Sequence, residues 1–277
     1  MNKTMPIIFL ILSILLIIAV VWGFKLKRNR FNEKLKNAKF KLDWILILQK
    51  NMGLYNRLPD QLRHKLHGLI NVFLHDKTFS GFNGLKITDE IRVTIAAQAC
   101  LLMLNRDEGL YPTLYNILVY PDAYKSMETT SDGTVHTVHE SVRLGESWHR
   151  GHVVLSWKHA KQGGVVDNDG HNVVYHEFAH QLDNVDGAID GTPELDSSEN
   201  YRSWIKVFWH EFSQLREMVT ANKKTLIDSY GAESEGEFFA VVTELFFEQP
   251  ENFEKKHPEL FKELVMYYHL NPLEWLH

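Results

Sequence analysis

The chain has 277 residues, 44% of them apolar and 23% charged, with a formal net charge of −5. That composition supplies a full core and excludes a disordered or fibrous chain, and the negative balance, with no basic stripe after residue 45, argues against nucleic acid as a partner. The single cysteine, Cys100, lies in the apolar run Ile95–Leu104, which excludes an intrachain disulfide and a thiolate cluster and predicts a buried, inert thiol.

In chain order, the first feature is Pro6–Phe24, nineteen residues without a charge. That is about the length of a helix crossing a ~30 Å hydrocarbon core. No small-x-small cleavage site follows. The run ends in Trp22 and then Lys25, Lys27, Arg28 and Arg30, an interfacial anchor with a stop signal rather than a cleaved signal peptide. Only Lys3 and the α-amine flank the other end, so the bias of positive charge predicts a single-pass membrane protein with its main domain in the cytoplasm. Residues 25–42 read as a basic juxtamembrane connector, expected to be helical, lying near anionic headgroups or simply solvated.

From Trp44 to Leu104 the apolar spacing is mostly helical. Leu66, Leu69 and Phe73 share a face within Leu62–His75, and Thr88 is the expected N-cap of a helix over Asp89–Leu104. Between Leu114 and Trp157 the texture becomes β-like, with strands expected at Asn116–Tyr120, Thr134–Thr137 and Val153–Trp157, separated by Asp132-Gly133 and Gly151. The last of these is expected at the sheet edge, where an extended peptide can add as a further strand. The coarse expectation is an α+β domain over residues 43–277, mostly helical with a small sheet, preceded by the anchor (1–24) and the connector (25–42).

The segment Val173–Asp183 reads V-V-Y-H-E-F-A-H-Q-L-D. His176, Glu177 and His180 form H-E-x-x-H, for which chance gives roughly 0.06 matches in a chain of this make-up. Asn168-Asp169-Gly170 offers a turn or cap before it and no proline interrupts it, so the segment is predicted helical. Residues i and i+4 lie above one another on a helix, so the two imidazoles meet one ion with Glu177 beside it. Two nitrogens and a neighbouring carboxylate suit zinc and hydrolysis, with Glu177 as general base. Asp183, one turn beyond His180, either orients a ligand imidazole or serves as a turn residue.

After the Asp186–Pro193 loop comes an amphipathic helix about Tyr201–Val219, with Trp204, Val207, Phe208, Phe212 and Leu215 on its core side. A third metal ligand must come from elsewhere, and Glu237 is the best candidate. It shares a face with Glu244 on the apolar helix Gly236–Phe247, where carboxylates are costly to bury without a cation or donors. One binds the metal and the other supports it; a lone Glu there also fits a polar helix edge. Tyr230, seven residues before Glu237, either brings a phenol to the oxyanion or caps the core.

These segments resemble one family. H-E-F-A-H-Q-L-D at His176–Asp183, D-G-A-I-D-G-T-P at Asp186–Pro193, and Tyr230 with Glu237 in Y-G-A-E-S-E-G-E-F-F-A are similar to the Mlc titration factor A family of zinc peptidases. The likeness extends to Ile87–Leu102, to V-Y-P at Val119–Pro121 and to Gly145–Trp157, spanning about residues 40–270. It implies a zincin-like metallopeptidase fold, Zn2+ on His176, His180 and Glu237, Glu177 as base and Tyr230 as the oxyanion-assisting phenol. It also implies an aminopeptidase-like activity on peptide or protein substrates and binding of a transcriptional repressor. Two departures stand out: Gly231 replaces the family's usual Ala, and the apolar N-terminus is unlike its soluble members. The competing expectation is a membrane-tethered protein that sequesters a regulator and uses zinc only to hold its fold.

Overall fold

The computed structural model describes residues 4–106, 109–122, 124–131, 136–143, 145–148 and 151–275, the segments 4–11 and 124–148 as backbone alone. The chain divides into two compact units, one up to Lys39 and one from Phe40 onward. The first is a single helix, α1 (Thr4–Lys36), so the basic connector is helical through most of its length, as its composition predicts. Among the described residues, no helix is long and apolar enough to cross a membrane. The described side chains of the apolar run begin at Leu12, and Lys25, Lys27, Arg28 and Arg30 follow on the same helix. The transmembrane helix expected over Pro6–Phe24 is therefore not supported by them.

The second unit opens with α2 (Leu42–Asn51), α3 (Gly53–Arg57) and α4 (Asp60–Asp76), then β1 (Thr78–Gly81) and α5 (Asp89–Leu102). Thr88 caps α5 as its sequence predicts, its Oγ1 accepting from Ile91 N–H at 3.3 Å. Strand β2 (Asn116–Tyr120) follows, with the alternation expected of a half-buried strand. Next come a two-stranded antiparallel ribbon of β3 (Tyr124–Ser131) and β4 (His136–Arg143), then β5 (Gly145–Trp148) and β6 (His152–Ser156). Of the expected run Thr134–Thr137, residues 134 and 135 lie outside the described residues, and so does Asp132-Gly133.

The main sheet has the order β1-β2-β6-β5, parallel except for β5. This corrects the expectation that Val153–Trp157 is the edge. Strand β6 is interior, with β2 on one side and β5 antiparallel on the other, and Trp157 instead opens helix α6 (Trp157–Val165). The reversal that brings β5 back along β6 passes through Gly151 at φ +78°, where a Cβ would meet Thr113 O at 2.9 Å. The edges of this sheet are therefore β1 and β5, and β5 is the one beside helix α7 (Val173–Asp183).

The rest is helical: α7 (Val173–Asp183), α8 (Ser198–Thr220), α9 (Glu235–Glu248), α10 (Pro250–Lys256) and α11 (Pro258–Tyr268). Helix α7 packs between α9 and the β5–β6 side of the sheet, with α5 behind it. Its inward anchor is Phe178, whose ring lies 4.8 Å from Tyr111 and 5.9 Å from Phe73, and Tyr111 donates its hydroxyl to Ala99 O of α5 at 2.7 Å. On the other flank, Trp204, Phe208 and Phe212 of α8 pack against Phe238 and Phe239 of α9. These aromatics are core, as their spacing predicts, and Cys100 on α5 is fully buried. The two helices that carry the motif residues are thus clamped from both sides.

Candidate metal centre

Asn172 starts the motif helix, its Oδ1 accepting from the N–H groups of Val174 and Tyr175 at 3.1 Å each. The turn before it uses Gly170 at φ +87°. Helix α7 then presents His176 and His180 along one face, their rings 4.9 Å apart. Helix α9 starts at Ser234, whose Oγ accepts from Glu237 N–H at 3.2 Å, and this places the Glu237 carboxylate at the first turn, facing both imidazoles.

The three groups close a triangle. His176 Nε2 lies 2.9 Å from Glu237 Oε2, His180 Nε2 lies 3.4 Å from the same oxygen, and the two Nε2 atoms are 3.3 Å apart. Ligands of a tetrahedral zinc at bond lengths of about 2.0–2.1 Å stand about 3.3 Å from one another. The triangle therefore has the edges that one ion needs, and among the described residues it is the metal-capable cluster of His, Cys, Asp and Glu. Behind it, Glu244 accepts from His176 Nδ1–H at 2.8 Å, so the ring's other nitrogen, Nε2, is turned toward the triangle. The seven-residue spacing of Glu237 and Glu244 thus yields one carboxylate in the triangle and one behind it.

The electrostatics agree with a cation at this point. Burial acts to lower His176, but the hydrogen-bonded carboxylates of Glu237 and Glu244 outweigh it and hold the imidazole well above its ordinary value. Burial acts to raise Glu237, yet His176 and His180 hold it below the usual carboxylate range. Burial lowers His180. A cluster of imidazoles and a carboxylate that favours positive charge in this way has a donor set that also suits a metal cation.

Glu177 is buried on α7, close enough for its charge to contribute to the raised His176. Tyr230 lies in a one-turn 3-10 helix, Ser229–Ala232, whose first turn is held by Asp228 Oδ1 accepting from Tyr230 N–H at 2.8 Å. Its ring is 45% exposed and 5.8 Å from the His176 ring, so it faces solvent beside the triangle instead of capping the core. The neighbouring Gly231 has room for the Ala of the family pattern, since a Cβ there would meet its nearest atoms at 3.4–3.5 Å.

Asp183 takes the second of its two expected roles. Its Oδ2 accepts from Gly191 N–H at 2.8 Å, which fastens the Asp186–Pro193 loop to the end of α7, and His180 Nδ1 has no hydrogen-bond partner. The loop requires glycine at 191: φ is +73° and a Cβ would lie 2.6 Å from Glu235 O. Burial raises Asp183 to about 7, against the backbone N–H groups of Gly191 and Thr192.

Three residues that sequence reasoning did not single out complete the surroundings. Asn172, Gln98 and Glu248 are buried and joined through the Asn172 amide. Their traces in the sequence are slight: Gln98 interrupts an apolar helix, and Glu248 continues the Glu237–Glu244 stripe by one more turn. Burial raises Glu248 to about 9, with the Asn172 hydrogen bond opposing it. The folded chain therefore keeps a proton there that the unfolded chain loses above its ordinary pKa, and stability falls as pH rises through the window from about 4.5 to about 9. Glu248→Gln has no such proton to lose. In metal-free protein its melting temperature is expected to exceed wild type by roughly 5 °C at pH 9 and to match it near pH 5. Calorimetry at the two pH values checks this, and parallel melting curves for the two proteins would contradict it.

Comparison with known proteins agrees with this geometry. The family model described as glucose-regulated metallo-peptidase M90 matches residues 24–269. The chain is 43% identical over 267 residues to an uncharacterized protein of Synechocystis sp., covering 95% of this chain and 97% of that protein. It is 30% identical over 221 residues to the Mlc titration factor A of Pectobacterium atrosepticum, covering 78% of this chain and 82% of that protein. It is also 30% identical over 225 residues to the Mlc titration factor A of Escherichia coli, covering 79% and 83%. The match reaches further toward the N-terminus than the motifs alone extend. With the His176, His180 and Glu237 triangle inside the matched span, the chain belongs to the glucose-regulated metallo-peptidase M90 family.

Proposed function

We propose that the chain is a zinc peptidase of the gluzincin type, with His176, His180 and Glu237 as metal ligands, Glu177 as general base and Tyr230 as oxyanion donor. The observation that carries this reading is the closed triangle of ligand atoms, 2.9–3.4 Å on a side, flanked by a buried carboxylate and an exposed phenol. Zinc bound there supplies Lewis acidity and brings the pKa of water toward about 7. Glu177 takes the proton from the attacking water and delivers it to the departing amine. The Tyr230 hydroxyl donates to the carbonyl oxygen as negative charge develops on it. An extended peptide aligns along the β5 edge, beside α7, with main-chain hydrogen bonds setting its register. An aminopeptidase-like action fits the family resemblance.

The test is metal content together with turnover of a peptide library by the purified chain. One zinc per chain with hydrolysis is the expected result. One zinc without hydrolysis of any peptide would favour the second reading, a protein that sequesters a transcriptional regulator with zinc holding its fold. That reading draws on the relatives' name, Mlc titration factor A. It requires neither Glu177 nor Tyr230, and their place beside the triangle favours the enzyme.

The N-terminal part of α1 is proposed as a single-pass anchor with the peptidase domain in the cytoplasm. Support comes from the charge-free run Pro6–Phe24 and from apolar side chains exposed all round the helix, including Leu16, Ile17 and Trp22. A helix apolar on every face lacks the polar side that water requires. The chain is expected to stay with membranes through alkaline carbonate washing, and its release into the wash would refute the anchor.

A further inference from the structure

Helix α9 carries a stripe of three carboxylates, Glu237, Glu244 and Glu248, all facing α7. Glu237 reaches both imidazoles and Glu244 reaches His176 Nδ1. The third, Glu248, meets neither histidine. It meets Asn172, and Asn172 also touches Glu244: the Asn172 backbone N–H donates to Glu244 Oε2. Both oxygens of Glu244 are therefore engaged, one by the ligand ring and one by the main chain at Asn172.

The side chain of Asn172 is used at both ends. Its Oδ1 caps α7, as above, and any of Ser, Asp or Asn does that about equally well. Its Nδ2 donates into a ring of acceptors: Gln98 Oε1 at 2.9 Å, Gly163 O at 3.0 Å and Glu248 Oε1 at 3.2 Å. Gln98 is itself held, its Nε2 donating to Thr94 O at 3.1 Å and Ala160 O at 3.0 Å. Asn172, Gln98 and Glu248 are each at least 95% buried, so no solvent substitutes for these bonds. Gly163 lies so close that a Cβ on it would sit 3.0 Å from Asn172 Cγ. A cap alone explains Oδ1; the amide nitrogen needs a second explanation.

We infer that Asn172 is a positioning residue for the metal centre: its side-chain amide, locked by Gln98, Gly163 and Glu248, aims its own backbone N–H at Glu244 and thereby fixes the ring of His176. This rests on the assignment of His176 as a metal ligand. The linkage runs from α5 and α6 through Asn172 to Glu244 and the ligand, so the first turn of the motif helix and the supporting carboxylate move as one body. Losing an outer-shell partner costs about 10–100-fold in metal affinity, and the same range is expected here.

The test is the zinc dissociation constant of the full chain, measured with zinc alone by chelator competition, for wild type, Asn172→Asp and Asn172→Ser. Both substitutions keep a cap oxygen and remove the amide donor, and Asp also sets a carboxylate against three acceptors. The expected result is a zinc affinity 10–100-fold weaker in each variant at a temperature well below its melting point. For whatever turnover remains at saturating zinc, kcat falls and KM holds. A variant that melts earlier but binds zinc within about twofold of wild type overturns the inference, since Asn172 is then only a cap. Should Asn172→Asp not fold, the Asn172→Ser result decides in the same way. Wild type that binds no zinc is a different failure, that of the metal-site assignment itself.

Discussion

Replacing Glu177 by Gln is expected to lower peptide turnover about 10²–10⁴-fold while leaving one zinc bound per chain. The two halves of that result have separate origins. Zinc is retained because the triangle of His176, His180 and Glu237 does not include Glu177, and because Gln fills the same buried volume. Turnover is expected to be lost because an amide cannot take the proton of the attacking water, and Glu177 is the buried carboxylate next to His176 on the same helix. Tyr230→Phe is a useful companion. It keeps the ring 5.8 Å from His176 and removes only the hydroxyl, so a loss of about 10²–10³ is expected with zinc again retained. A Glu177→Gln protein that hydrolyses peptide at more than a tenth of the wild-type rate would show that another group serves as base.

The site was legible to the extent that it is local. H-E-x-x-H works through the i, i+4 geometry of a single helix, so His176, Glu177 and His180 are readable from spacing alone. Glu237 is readable for a different reason: a carboxylate on the otherwise apolar helix Glu235–Glu248 is costly unless something compensates it, and the compensation proves to be the histidine pair. What sequence spacing does not carry is the partner of each lone pair. Asp183 has the spacing of a histidine-orienting carboxylate, but a glycine amide eight residues downstream claims it. The edge strand is a similar case. Val153–Ser156 is apolar enough for either an edge or a centre, and its interior place comes from a long-range pairing with β2 (Asn116 opposite His152) together with the short hairpin partner β5, neither of which has a periodic signature. The turn or cap signal of the sequence lies at Asn168-Asp169-Gly170, whereas the cap itself is Asn172, whose four further contacts come from α5, α6 and α9.

Glu237→Ala is expected to weaken zinc binding by more than about 100-fold, beyond the 10–100-fold expected of Glu244→Ala. The ordering of these two losses matters more than their size, because the carboxylates lie on opposite sides of one ring. Glu244 faces His176 Nδ1 and Glu237 faces His176 Nε2, and only Nε2 also faces His180. A metal on Nε2 makes Glu237 a ligand and Glu244 a support that fixes the tautomer. A metal on Nδ1 would exchange those roles and leave His180 out of reach. Glu244 is also poorly placed to replace a missing Glu237, since one of its oxygens holds the His176 ring and the other accepts from Asn172 N–H. Moving it would release the ring it supports. Chelator competition on the two variants decides between these arrangements. A larger loss for Glu237→Ala fits the triangle, whereas a larger loss for Glu244→Ala would move the metal to the far side of His176 and take the catalytic reading of Glu177 and Tyr230 with it.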